Sequence, residues 1–279
     1  MSQPTEIITS KQNALIKRMR ALGHREARMA EGMAVVEGLR AIIEAVHARV
    51  RVETVLVAPE RIRSELARQT ITTARERGAH YVTATPEVLD SLSERDTSQG
   101  IIAIVERPQA TISSLPRKGN QLILALYEPQ DPGNIGTIAR TADGAGATAL
   151  VIFGKRYADP FDPKAIRASM GSVFTIPIIE LGPAPSALAE LLPRDLRLIG
   201  AAGEAGTVEL WDVPLRGSVA LLLGNERGGL PPEVIELCHT VARLPMRGHA
   251  DSLNLAAAAA IFAYEVVRQR RENLPPHKG

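Results

Sequence analysis

The sequence predicts an α/β protein: a small N-terminal α/β unit followed by a larger one built on a parallel sheet. Three observations predict it. Short apolar runs of strand length alternate with helical periodicity from residue 33 onward. Two of the later runs, residues 122–126 (LILAL) and 219–223 (VALLL), are apolar without interruption, as strands covered on both faces are. Residues 107–120 (RPQATISSLPRKGN) hold two Pro, two Ser, one Gly and three cations with no periodicity, and read as a linker. The expected organisation is a first domain at 1–106, a linker at 107–120, a second domain at 121–272 and a disordered tail at 273–279.

In order, residues 10–30 form a basic amphipathic helix, with Leu15, Met19 and Leu22 at helical spacing. Ala34, Val35 and Val36 make a strand. Leu39, Ile42, Ile43 and Val46 then line one face of a helix. Residues 55–57 are a second strand closed by Pro59, and a charged helix runs from about 60 to 77 until Gly78 stops it. Residues 81–83 are a third strand. Thr85 caps a short helix with Pro86 at its first position, and residues 101–105 form a fourth strand.

Beyond the linker, strand 122–126 leads to a helix over 134–144 and a strand over 149–153. Asp162-Pro163 starts a helix through Ser169, a strand follows over 174–179, a helix over 186–192 and strands over 196–200 and 219–223. Pro231-Pro232-Glu233 opens a helix to Cys238, residues 241–244 are the last strand, and Ser252 caps a helix to Arg271. Gly144-Ala-Gly146 superficially matches a dinucleotide fingerprint, but it follows a helix and precedes a strand, the reverse of what that motif requires. With no acid placed to bind a ribose, a nucleotide-dependent oxidoreductase is excluded.

Composition narrows the classes further. The 279 residues are 45% hydrophobic and 23% charged, ordinary for a globular chain, but only 3% aromatic, which argues against stacking platforms for nucleic acid. The net charge is +2, yet residues 11–28 carry Lys11, Lys17, Arg18, Arg20, Arg25 and Arg28 against Glu26 alone. Lys11, Lys17, Arg18 and Arg25 are the candidate contacts to the phosphates of a polyanion. Cys238 is the only cysteine and the six histidines lack ligand spacing, so no disulfide and no metal site are expected. Residues 1–10 lack the basic and then apolar pattern of a signal peptide, and no apolar run approaches about 18 residues, so neither a signal peptide nor a membrane span is expected. A cytoplasmic protein without membrane partners is expected.

Three segments place small or polar residues where a strand ends, the position at which parallel sheets bind ligands. The first holds Asn134, Gly136 and Arg140. Six residues correspond to about 600° of helix, so Asn134 is expected in the loop or as the cap and Arg140 within the helix. The second runs from Leu223 through Gly224, Asn225 and Glu226 to Gly228-Gly229; a carboxylate there exceeds what a turn needs. The third runs from Leu244-Pro245-Met246 to Ser252-Leu253-Asn254, ahead of an alanine run at 256–260 that permits close helix packing, in a dimer interface or a tight core.

In this order, NxGxxxR, LLLGNExGGL and LPMxGxxxSLNLAxA resemble the three motifs of the SpoU, or TrmH, family of RNA 2′-O-ribose methyltransferases in the SPOUT superfamily. The opening TSKQNALIK and the later VVEG resemble the ribosomal-protein-like substrate-binding domain often fused ahead of them. The resemblance implies an α/β-knot catalytic domain with a deep trefoil knot, a homodimer, and S-adenosyl-L-methionine as cofactor. It implies cofactor contacts from the backbone of Gly224, Leu244 and Leu253, with Leu223, Asn225 and Met246 enclosing the ligand. Asn134, Arg140, Glu226, Ser252 and Asn254 fall on its catalytic and RNA-binding positions. The family gives Arg140 the proton-accepting role. A guanidinium normally stays protonated, so either a neighbouring RNA phosphate activates it or it stabilises the developing alkoxide. The implied substrate is large-subunit ribosomal RNA; transfer RNA and a non-catalytic RNA-binding role are the alternatives.

Overall fold

The computed structural model describes residues 7–93, 97–117, 119–183, 186–189, 191, 195–203 and 207–271. Its contacts divide the chain into two units, Met1–Pro108 with Asp159–Thr175, and Gln109–Ala158 with Ile176–Gly279.

The first unit begins with α1 (Ala14–Ala21) and α2 (Arg25–Glu31), not one continuous helix. Asn13 caps α1 by accepting from the Leu15 N–H at 2.9 Å, and the helix ends where Gly23 N bonds back to Arg20 O at 3.1 Å. The apolar spacing persists because Ile16, Met19 and Leu22 all bury on one core, which hides the break from a periodicity reading. Gly32, at φ +65°, ends α2. There follow β1 (Met33–Glu37), α3 (Leu39–His47), β2 (Val52–Val57), α4 (Glu65–Glu76), β3 (His80–Thr83), α5 (Pro86–Asp90) and β4 (Ile101–Glu106). Residues 59–61 are a separate 3-10 turn, and α4 starts later than expected, capped by Ser64. The sheet order is β1-β4-β2-β3, with β3 parallel to β2 and the other pairs antiparallel.

Segment Asp159–Thr175 packs into this unit through charge. Arg28, 1% exposed, donates from Nε to Asp159 at 2.7 Å and from Nη2 to Asp162 at 3.0 Å. Its Nη1 donates to the carbonyls of Leu22 and Gly23 at 3.1 and 2.8 Å. Arg107 reaches the other oxygen of Asp159 at 3.3 Å. Arg28, counted with the basic surface cluster from sequence, is therefore an interior ion-pair residue.

The second unit holds β5 (Leu122–Tyr127), α6 (Pro132–Gly144) and β6 (Ala149–Phe153); next in the chain comes α7 (Pro163–Ala168), which belongs to the first unit. It continues with β7 (Ile178–Glu180), α8 (Ser186–Ala189), β8 (Arg197–Ala201), β9 (Val208–Glu209), β10 (Val219–Leu223), α9 (Pro232–Ile235), β11 (Thr240–Arg243) and α10 (Leu255–Arg271). The expected strand at 174–179 is a 3-10 turn over 172–174 and then the shorter β7. Every strand pair is parallel, in the order β7-β6-β5-β10-β8-β11-β9.

Ile123, Ala125, Val151, Phe153, Ala220 and Leu222 form the core on one face of the sheet, closed by Leu188, Leu191 and Val234. Ile112 and Leu115, from the segment read as linker, are buried in the same core. Helices α6 and α10 pack on each other and on the strands. There Ala256, Ala259 and Ala263 are buried, so part of the alanine stripe serves close packing within the chain. The order places β10 beside β5, although β6 to β9 lie between them in sequence. This is a topological switch point, and the carboxyl ends of both strands open there. The expected tail at 273–279 lies outside the described residues.

Candidate active site

The first loop leaves β5 through Glu128, whose backbone sits at φ +47°. Its carboxylate accepts from Lys155 N at 2.7 Å and occupies the space where Gly154 has no side chain; a Cβ there would lie 2.2 Å from Glu128 Cγ. Gln130 donates from Nε2 to the carbonyls of Glu128 and Arg156 at 2.7 and 2.9 Å. Asp131 caps α6 by accepting from Gly133 N at 2.9 Å, with Pro132 at the first helical position. Asn134 is therefore not the cap. It stands in the first turn of the helix, where its side chain is available to the second loop.

That loop starts at Gly224. A Cβ at this position would lie 1.9 Å from the carbonyl carbon of Gly229, so only glycine permits the turn to fold back so closely. The Asn225 side-chain oxygen accepts from the N–H groups of Arg227 and Gly228 at 3.0 and 2.6 Å, so it builds the turn itself. The turn delivers the Glu226 carboxylate across the switch point. Its Oε1 accepts from Asn134 Nδ2 at 2.8 Å and from Asp131 N at 3.4 Å, and its Oε2 accepts from Gln130 N at 3.2 Å.

The third loop contributes Asn254. Its Oδ1 accepts from Ala256 N and Ala257 N at 2.9 and 3.4 Å, making it the N-cap of α10 in place of Ser252, which is exposed. Because that oxygen faces helix donors, Asn254 must present Nδ2 outward, and it donates to Asn134 Oδ1 at 3.1 Å. The amide orientations of both asparagines follow from the network. Polarity runs one way, from the start of α10 through Asn254 and Asn134 to a carboxylate that only accepts. Burial pulls the Glu226 acid upward, but the hydrogen bonds from Asn134 and from the backbone of Glu226, Gln130 and Asp131 outweigh it and hold the group below its ordinary value. Glu226 is ionised at neutral pH.

The other expected residues are placed differently. Arg140 lies on the exposed face of α6, and its side chain makes no hydrogen bond with any described residue; the network does not include it. Leu223 is buried within β10, so only its backbone can face a ligand. Leu244 is half-buried just after β11, while Met246 and Leu253 are 37% and 40% exposed. Lys11, Lys17 and Arg25 are exposed. Arg18 is engaged by Glu31 at 2.7 Å and by Glu53, whose second oxygen it reaches at 3.1 Å. Among the described residues, no group of three or more His, Cys, Asp or Glu could hold a metal ion.

Sequence reading missed Glu128, Gln130 and Asp131. Only Asp131 had a readable signal, a capping Asp directly before a proline.

Comparison with known proteins identifies the family. Residues 121–264 match the SpoU rRNA Methylase family, and residues 13–103 match the MRM3-like substrate binding domain. The chain is 34% identical over 271 residues to a 23S rRNA (uridine(2479)-2′-O)-methyltransferase of Streptomyces viridochromogenes, covering 94% of this chain and 92% of that one. It is 31% identical over 260 residues to the 23S rRNA (guanosine(2553)-2′-O)-methyltransferase RlmP of Bacillus subtilis (strain 168), covering 93% and 98%. An AdoMet-bound rRNA methyltransferase from Sinorhizobium meliloti superposes with a TM-score of 0.86 at 31% identity, over 97% of this chain and 99% of that one. Three loops from distant parts of the sequence meet around Glu226, and the chain belongs to the SpoU rRNA methylase family.

Proposed function

We propose that this protein transfers a methyl group from S-adenosyl-L-methionine to a ribose 2′-hydroxyl of large-subunit ribosomal RNA. The observation that carries the reading is the hydrogen-bonded series Asn254–Asn134–Glu226, which joins the three family motifs at the switch point. The Streptomyces viridochromogenes and Bacillus subtilis relatives are named as 23S rRNA 2′-O-methyltransferases, and the Sinorhizobium meliloti structure is AdoMet-bound.

The residue types fit the cofactor. The carboxyl ends of β10 and β11 bring the backbone of Gly224 and Leu244 to one edge of the sheet, and exposed Met246 and Leu253 offer apolar contact for an adenosyl group. Backbone at Gly224, Leu244 and Leu253 binds it, with Leu223, Asn225 and Met246 around it. When bound, the cofactor supplies an electrophilic methyl on a cationic sulfur, so the protein has only to align the hydroxyl and manage one proton. Asn134 and Glu226 orient the ribose, and Ser252 and Asn254 line its approach. Arg140 stabilises the developing alkoxide, or takes the proton when an RNA phosphate lies beside it.

The finer features belong to the same proposal. Residues 121–272 form an α/β-knot domain that works as a homodimer in the cytoplasm, with Arg140 near the subunit interface. Residues 1–106, joined by 107–120, grip RNA through Lys11, Lys17, Arg18 and Arg25. Mass-spectrometric mapping of 2′-O-methyl sites in RNA from cells with and without the gene tests the assignment. The loss of one ribosomal RNA methyl group is expected. An unchanged ribosomal RNA with a transfer RNA lacking a methyl group would overturn the substrate.

A further inference from the structure

The first unit contains a cavity of about 200 Å³ that the methyl-transfer site does not use. Its floor is the β1–β4 ladder. Val35 and Glu37 stand two residues apart on one face of β1, and Ile102 pairs opposite Glu37. Met19 and Leu92 continue the apolar lining. Two guanidinium groups border it: Arg20 from α1, which makes no side-chain hydrogen bond or ion pair with any described residue, and Arg167 from α7. Glu37 supplies the acceptor and itself accepts from the Ser93 hydroxyl.

Aliphatic walls, two cations and one carboxylate match the parts of a nucleotide. A planar base lies against aliphatic side chains, its N–H edge donates to a carboxylate, and its phosphate meets arginine. Unstacked bases of RNA are commonly held on arginine planes as well as aromatic rings. In a chain with 3% aromatic residues, Val35 and Ile102 offer the base an aliphatic face instead, and the guanidinium groups are left for its phosphate. The volume is below the several hundred Å³ of sites for larger ligands, which limits the occupant to one base.

We propose that this cavity receives a single unstacked nucleotide of the substrate RNA, with its base against Val35 and Ile102 and its phosphate on Arg20 and Arg167. The choice of partner rests on the RNA methyltransferase reading, but the primary test does not. The full chain is titrated with each of the four ribonucleoside 5′-monophosphates to about 10 mM while amide chemical shifts are followed. Shifts centred on Gly23, Val35 and Leu92 are expected for at least one of them. Arg20→Glu should weaken that binding about fivefold or more, the loss of one charge-assisted contact, and Ser91→Trp, which fills the mouth, should abolish it. No shift at these residues with any of the four, or shifts unaltered in Arg20→Glu, would overturn the cavity's role. A second measurement on an unmodified 23S rRNA transcript should show Arg20→Glu raising the KM for RNA about fivefold with kcat unchanged; an unchanged KM also counts against the cavity. A wild-type chain that binds nucleotide here but transfers no methyl group would instead sink the methyltransferase reading.

Discussion

Asn134 donates to Glu226 at 2.8 Å across 92 positions of sequence, with the amide's other end held by Asn254 at 3.1 Å. The carboxylate is therefore oriented by a helix terminus that never touches it. Replacing Glu226 with Gln should lower turnover by roughly 10–100-fold, the usual effect of misplacing an orienting group. The fold should be retained, because Glu226 is exposed. Single-turnover methyl transfer alongside circular dichroism would check both halves.

Asn254 has two duties that substitutions can separate. Asn254→Ala removes the α10 cap and the donor to Asn134, and should cost about 1 kcal/mol as well as activity. Asn254→Asp keeps a capping oxygen but cannot donate to Asn134. Thermal unfolding should return close to wild type in Asn254→Asp while methyl transfer stays depressed. Recovery of activity along with stability would reduce the residue to a cap.

Gly224→Ala should disrupt the second loop, since the added methyl would sit 1.9 Å from the Gly229 backbone. The opened turn would carry Glu226 away from Asn134. Calorimetric titration with S-adenosyl-L-methionine should show binding lost or weakened by more than about tenfold.

Arg28 is almost wholly interior, and Arg28→Met would leave Asp159 and Asp162 without it. A loss of roughly 3–5 kcal/mol is expected from stranding the buried Asp159, partly recovered in the double variant Arg28→Met, Asp159→Asn. Urea unfolding of the full chain measures this. A mild effect in the single variant would mean that Arg107 alone neutralises Asp159.

Acid should weaken the first unit through Asp90. Hydrogen bonds from Arg61 and from the Ser98 backbone, against a small desolvation penalty, hold its acid down to about 2. A depressed carboxylate stabilises the fold above its unfolded value near 4 and loses that contribution as pH falls toward 2. Asp90→Asn should therefore flatten stability against pH between about 4 and 2, as read by pH-dependent denaturation.

How much was legible follows from the range of each interaction. The buried strands β5, β6 and β10 were readable because their apolar runs tolerate no interruption. The break at Gly23 was not, since Met19 and Leu22 keep helical spacing across it. Caps were misplaced twice, at Asn134 and Ser252, because several short polar residues preceded each helix and only geometry selects Asp131 and Asn254. Two-residue β9 leaves no pattern in sequence. The burial of Arg28 was hidden too, because its carboxylates come 131 and 134 residues later. Asn134, Glu226 and Asn254 were each nameable from motif resemblance, but their one-way polarity was not.

The segment Asp159–Thr175 interrupts the second unit's strands yet completes the first unit's interior. Severing the gene near residue 107 would strand the counter-ions of Arg28 on the wrong fragment. The chain contributes to the first unit twice, and grafting the N-terminal part onto another catalytic partner would have to bring this excursion along.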